Sequence, residues 1–289
     1  SLGLLTSHNM NNGLEDAKAF CRKFYSKYHG AGNGLHRTSL EVHSVYLYNE
    51  KTLRDSAEFA AETGMTVNIH LHETKSEVER SCAEYGMPPI GICLETGLFD
   101  GPAVAAHTVW ITDEDMDIIK GKGVMPVHNP SSNMYLASGF APIPEMLAKG
   151  IRVALGTDGA ASNNDQDMFG EMHLAGLIHK GRSLDATAVS AEKVIEMACA
   201  NGAKAMGFEG AGAILVGKKA DIILVDAEGL HNVPMLNPVN AMVYSTKGSD
   251  VDTVIINGRI IMESRELRTM DEEKVRYNLK KSAAELFNI

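Results

Sequence analysis

Thr66-Val-Asn-Ile-His-Leu-His-Glu73 is a short apolar run with β-branched residues at Thr66, Val67 and Ile69, and it stops abruptly on polar side chains. The same design recurs in Ala105-Ala-His-Thr108, in Gly123-Val-Met-Pro-Val-His-Asn-Pro130 and in Arg152-Val-Ala-Leu-Gly-Thr-Asp-Gly159. Between these runs lie segments with helical spacing over 75–85, 113–120 and 143–149. Strand alternating with helix is the pattern of a parallel sheet wrapped by helices. In such sheets the reactive groups gather at the carboxyl ends of the strands. Those ends carry His70, His107, His128 and Asp158, an inventory suited to a metal site.

Outward from this core, Ser1-Leu-Gly-Leu-Leu-Thr-Ser7 reads as the tail of a strand. A helix is predicted over 13–29, with Leu14, Ala17, Phe20, Cys21 and Phe24 on one face. A strand follows over 39–43, then a helix over 51–62 that Gly64 stops as a left-handed cap. Thr112 followed by Asp115 has the spacing of a capping box. Six barrel-type strands are counted in this way, whereas a complete barrel has eight. After Asp158, helices are predicted over 167–180 and 190–206. The pattern then turns to strands over 213–216, 220–225, 242–245 and 251–261, with Asn257-Gly258 as a hairpin turn. The predicted division is a barrel over 1–208, a small β domain over 209–267 and a charged C-terminal helix over 268–289.

Composition narrows the class. A chain of 289 residues with 44% hydrophobic content has material for a sizeable core. A formal net charge of -10 argues against a nucleic-acid partner, because no basic surplus exists to displace counterions from phosphates. Cys21, Cys82, Cys93 and Cys199 form no Cys-x-x-Cys pair and read as reduced core thiols. No apolar run approaches the roughly 20 residues that span a bilayer. The expectation is a cytoplasmic protein that acts on a small molecule and is a candidate homo-oligomer.

Four segments resemble a known family: Ile69-His-Leu-His-Glu-Thr-Lys75, Ala105-Ala-His107, His128-Asn-Pro-Ser-Ser-Asn133 and Leu155-Gly-Thr-Asp-Gly-Ala-Ala-Ser-Asn-Asn164. A fifth is Gly217-Lys-Lys-Ala-Asp-Ile-Ile-Leu-Val-Asp226. In this order they resemble the amidohydrolase superfamily, in its deaminase and triazine-chlorohydrolase branch, and look most like the methylthioadenosine/S-adenosylhomocysteine deaminases. The resemblance implies a metal-dependent hydrolase (β/α)8 TIM barrel, N-terminally incomplete, with a small C-terminal β-sandwich-like domain. It also implies one divalent metal ion, zinc first, with iron, nickel or manganese as alternatives. The His-x-His pair of the family's first strand lies upstream of what this chain contains. Residues 1–289 alone are therefore expected to bind metal weakly and not to turn over.

The resemblance carries roles onto single residues. His70 and Asp158 become metal ligands, and Asp158 also accepts a proton from the attacking water. Glu73 becomes the proton shuttle to a ring nitrogen. His107 becomes either a ligand or the group that stabilises the tetrahedral intermediate, and His43 a substrate contact. His70 and His72 could themselves form a two-ligand pair, since alternate side chains share one side of a strand; the resemblance keeps only His70. His173 and His179 read as structural, and the loop over 128–133 has no assigned role. The implied reaction is hydrolytic deamination of an adenine nucleoside thioether, with release of ammonia. Guanine deamination and triazine dechlorination use the same apparatus. A degenerate, non-catalytic barrel that binds a ligand or partner is the competing class.

Overall fold

The computed structural model describes residues 2–3 and 14–288. Six parallel strands form one sheet in sequence order: β1 (Leu2–Gly3), β2 (Leu40–Val42), β3 (Val67–Leu71), β4 (Ala103–His107), β5 (Met125–His128) and β6 (Ala154–Leu155). Most of the strand expected over 1–7 lies outside the described residues. Helices connect the strands and cover the sheet's outer side, as consecutive right-handed βαβ units require. This is the incomplete TIM-barrel architecture with a second, antiparallel sheet appended.

Alternation along β3 fixes which side chains see which layer. Val67, Ile69 and Leu71 are fully buried against the helices. Asn68 and His70 take the other face, where they meet Val104, Ala106, Val127 and Asn129 around a cavity of about 240 Å³. Period-two geometry therefore gives one apolar layer outside the sheet and a mixed, open layer inside it. Phe59, Ile90, Phe99, Ile119 and Ile143 fill the outer core.

The helices start and stop where local chemistry dictates. Lys75–Tyr85 opens on a capping box between Thr74 and Glu77, and Asp113–Lys122 on one between Thr112 and Asp115. Glu50–Thr63 ends at Gly64 with φ 68°, a left-handed conformation that glycine adopts without a Cβ penalty. The first helix is Leu14–Tyr28, and it buries Ala17 and Cys21, but Phe20 is 54% exposed. Phe20 lies beside the buried stripe, its ring centroid 6.2 Å from that of Phe24. The helix predicted over 190–206 is observed as Ala191–Glu196, a π-helical turn Met197–Asn201 and Gly202–Ala205.

The second sheet pairs β7 (Ile222–Val225), β8 (Val251–Ile256), β9 (Arg259–Glu263) and β10 (Glu266–Leu267) in antiparallel fashion. Asn257 and Gly258 turn β8 into β9 with φ 50° and 77°, the double positive φ of a type I′ hairpin. Two expected strands differ. Residues 213–216 form no strand: among the described residues none pairs with them, and Ile214, Leu215 and Val216 are exposed. Residues 242–244 belong instead to the helix Pro238–Tyr244, capped by Asn237 and followed by Ser245, with Val243 buried in the main core. Proline at the first helical position and an asparagine cap outweigh the β-branched content of Met242-Val-Tyr. The C-terminal helix Glu272–Phe287 buries none of its residues.

Cys21 and Cys93 are buried, whereas Cys82 and Cys199 are exposed, so only two of the four are core thiols. Burial pushes the Cys21 thiol up to about 11. Among the described residues no helix is long and apolar enough to cross a membrane.

Candidate metal centre and active site

Ligand atoms of His70, His107 and Asp158 all lie within 4.8 Å of one another, at the carboxyl ends of β3, β4 and β6. Each reaches that point differently. His70 is the fourth residue of β3 and faces the cavity by alternation. His107 ends β4 with φ 72°, and Asp158 follows β6 with φ 61°. Left-handed backbone at a non-glycine residue is disfavoured and marks places where the surroundings dictate a side chain's aim.

Hydrogen bonding sets which imidazole nitrogens remain available. His70 Nδ1 lies 2.9 Å from the carbonyl oxygen of His43. A carbonyl only accepts, so Nδ1 carries the proton and Nε2 keeps its lone pair, the state a metal ligand needs. His107 Nδ1 donates to Asn133 Oδ1 at 2.9 Å, which likewise frees Nε2. That Nε2 lies 3.8 Å from Glu73 Oε2. Burial lowers the His107 pKa, against the opposing pull of Glu73 and Asn133, so the ring is neutral at pH 7.

Asp158 Oδ2 accepts hydrogen bonds from the hydroxyls of Ser132 and Ser162, both at 2.7 Å. Burial by itself would raise its pKa. The bonds from Ser132, Ser162 and the Gly159 N–H outweigh that and hold the carboxyl below its ordinary value. Glu73 is partly buried, and its Oε1 accepts from Ser138 Oγ at 3.2 Å. His43 is exposed, with its ring centroid 4.5 Å from that of His70 and its Nδ1 3.0 Å from Ser44 Oγ. The structure thus brings Glu73, His70, His107 and Asp158 together, with His43 alongside.

His72 does not join them. The strand stops at Leu71, and His72 adopts φ 52°, which breaks the alternation and turns its ring into the layer outside the sheet. There Nδ1 donates to the Trp110 carbonyl at 2.9 Å and Nε2 accepts the Ile90 N–H at 3.1 Å. Burial lowers its pKa, with Trp110 and Asp115 pulling the other way. Both nitrogens are committed, and no lone pair is left for an ion. His128 is also withdrawn, its Nε2 3.0 Å from His179 Nε2 in a fully buried pair. Burial and the neighbouring His179 push the His128 pKa well down, and burial takes His179 to about 4. One ring donates, the other accepts, and both are neutral.

The loop over 128–133 has functions its sequence does not announce. Asn129 Oδ1 receives the His107 backbone N–H at 3.4 Å, Ser132 holds Asp158, and Asn133 fixes the His107 tautomer. Polar residues in a proline-initiated helical turn were the only available signal.

Two imidazoles with Nδ1 anchored and Nε2 open, beside a carboxylate, form a donor set that suits a borderline-soft divalent ion such as zinc. The free Nε2 atoms and the Asp158 oxygen left open by the serines fit such an ion.

The family model of the amidohydrolases ("Amidohydrolase family") matches residues 5–261, and the chain belongs to that family. It is 53% identical over 271 residues to the 5-methylthioadenosine/S-adenosylhomocysteine deaminase of Acetivibrio thermocellus, covering 93% of this chain and 63% of that protein. Among solved structures, it superposes with a TM-score of 0.92 and 31% identity on a zinc-bound adenosine deaminase from Xanthomonas campestris, covering 96% of this chain and 63% of that one. An atrazine chlorohydrolase from Arthrobacter aurescens complexed with zinc shares the fold, with a TM-score of 0.87, 24% identity and coverage of 92% and 59%. The chain spans about three fifths of the length of the relatives it matches.

Proposed function

We propose that the protein is a metal-dependent hydrolytic deaminase of an adenine nucleoside thioether, S-adenosylhomocysteine or methylthioadenosine. The observation that carries this reading is the convergence of His70, His107 and Asp158 within 4.8 Å, with Glu73 Oε2 3.8 Å from His107 Nε2. The similarity to the deaminase of Acetivibrio thermocellus supports the substrate class.

His70 and Asp158 would hold the divalent ion, zinc in the first instance, with iron, nickel or manganese as alternatives. When bound, the ion supplies a water acidic enough to attack at neutral pH. Asp158, its carboxylate held between two serine hydroxyls, would accept a proton from the attacking water. Glu73 delivers a proton to the adjacent ring nitrogen, with Ser138 orienting its other oxygen. His107, with Nδ1 fixed by Asn133, would use its open Nε2 to accept a hydrogen bond from the hydroxyl on the tetrahedral carbon, and the proton taken up by Asp158 would pass to the amine as it leaves as ammonia. His43, exposed beside His70, contacts the substrate. We assign residues 1–208 to the barrel, 209–267 to the β domain and 268–289 to a separate helix, and place the protein, as a candidate homo-oligomer, in the cytoplasm.

The test is ammonia release by the full-length protein from S-adenosylhomocysteine, methylthioadenosine, adenosine, guanine and a chlorotriazine. The thioethers are expected to react fastest. Faster turnover of guanine or the triazine would overturn the substrate class and leave the metal centre standing.

A further inference from the structure

Glu171 lies one turn into the helix Met168–Ser183, is 1% exposed and, among the described residues, is not one of the His70, His107 and Asp158 group. A carboxylate so buried is unfavourable unless its oxygens are bonded. Oε2 accepts the backbone N–H of Ser131 at 3.2 Å, and Oε1 accepts Asn163 Nδ2 at 2.7 Å. The same Asn163 amide also donates to the Thr157 carbonyl at 2.7 Å. Glu171 therefore bridges the loop after β5 to the loop after β6.

The bridge falls next to the groups that aim the ligands. Ser131 precedes Ser132, and Asn163 follows Ser162, the two residues whose hydroxyls meet on Asp158 Oδ2. Asn133, two residues beyond Ser131, fixes the tautomer of His107. Asp158 itself sits at φ 61°, a conformation that needs support from its surroundings. A stitch that served folding alone would have no reason to end beside both serines.

We propose that Glu171 is a positioning residue of the metal centre: it clamps the 129–133 and 157–163 loops so that Ser132 and Ser162 hold one oxygen of Asp158 and leave the other to the ion. This rests on the reading of Asp158 as a ligand. Partners behind metal ligands typically change metal affinity by about 10- to 100-fold when removed. Glu171→Gln presents an amide donor to two donors, Ser131 N–H and Asn163 Nδ2, and can satisfy only one of them.

The test uses the full-length protein loaded with cobalt(II), reading the visible absorption of the ion and its dissociation constant, without any substrate. Glu171→Gln is expected to shift the absorption and to weaken binding about 10- to 100-fold. In a Ser132→Ala, Ser162→Ala background the same change should add little further loss, because Glu171 acts through those hydroxyls. Asn163→Ala, which cuts one arm of the clamp and keeps the carboxylate, should weaken cobalt binding in the same direction if Glu171→Gln fails to fold. Unchanged spectrum and affinity in a folded variant, or fully additive losses in the serine background, would overturn the proposal. Parent protein that binds no cobalt would sink the metal-centre reading and this inference with it.

Discussion

Two layers of histidines lie only a few residues apart in this fold, and they differ in what is left over on each ring. At the mouth of the sheet, His70 and His107 spend Nδ1 on an oxygen acceptor and keep Nε2 free. In the layer behind, His72 spends both nitrogens on backbone groups, and His128 and His179 spend Nε2 on each other. Residue type and strand position do not separate the layers. Hydrogen bonding and burial together do: His72 has no nitrogen left, the unclaimed Nδ1 atoms of His128 and His179 are sealed in the interior, and only His70 and His107 anchor one nitrogen and keep the other beside Asp158.

Changes at the mouth should abolish chemistry, and changes behind it should weaken the fold. The largest effect is expected at Asp158, to which the proposed mechanism gives both metal binding and proton acceptance. Asp158→Ala should lower turnover of the full-length protein by at least about 10⁴-fold, the top of the range for losing a general base. Near-parental turnover in a rate assay would remove Asp158 from the centre.

Glu73→Gln sharpens the contrast within the mouth itself. Turnover should fall by about 10² to 10⁴-fold, while metal content, measured on the same sample, stays at the parental level. Parental turnover would end the proton-shuttle assignment.

His72→Ala probes the layer behind. It leaves the Trp110 carbonyl and the Ile90 N–H without partners, each worth about 1–3 kcal/mol when buried. Urea denaturation should show a loss of about 3 kcal/mol, and the fraction that remains folded should retain its metal.

The buried His128–His179 pair gives the most graded effect. His179 is held near 4 when folded and is ordinary when unfolded, so the unfolded chain binds the extra proton first. Stability should therefore be full above the unfolded value of about 6.5 and fall as pH drops from there toward 4, with His179 alone accounting for about 3 kcal/mol. The urea midpoint measured between pH 7 and 4 reads this directly, and His179→Gln should flatten that window.

The same contrast explains what the sequence discloses. Strand-helix alternation and the polar strand ends are legible because each parallel strand is covered and its pattern is set by burial. Lys75–Tyr85 and Asp113–Lys122 announce themselves through local capping chemistry. Residues 213–216 and 242–245 mislead because β-branched content is a weak guide where packing and a proline-asparagine start decide the outcome. In the site, His70, His107 and Asp158 can be picked out by position. The exclusion of His72 cannot, since it depends on a single left-handed residue at the end of β3. Ser132, Asn133 and Glu171 are invisible for a similar reason: their partners are 26, 26 and 40 residues away in the chain.

The most direct measurement is the metal content of two purified variants of the full-length protein, His70→Ala and His72→Ala, each compared with the parent after verification of folding. The account predicts that His70→Ala loses the ion and that folded His72→Ala keeps it. Retention of the ion by His70→Ala, together with its loss from His72→Ala, would contradict the account and make His72 the ligand.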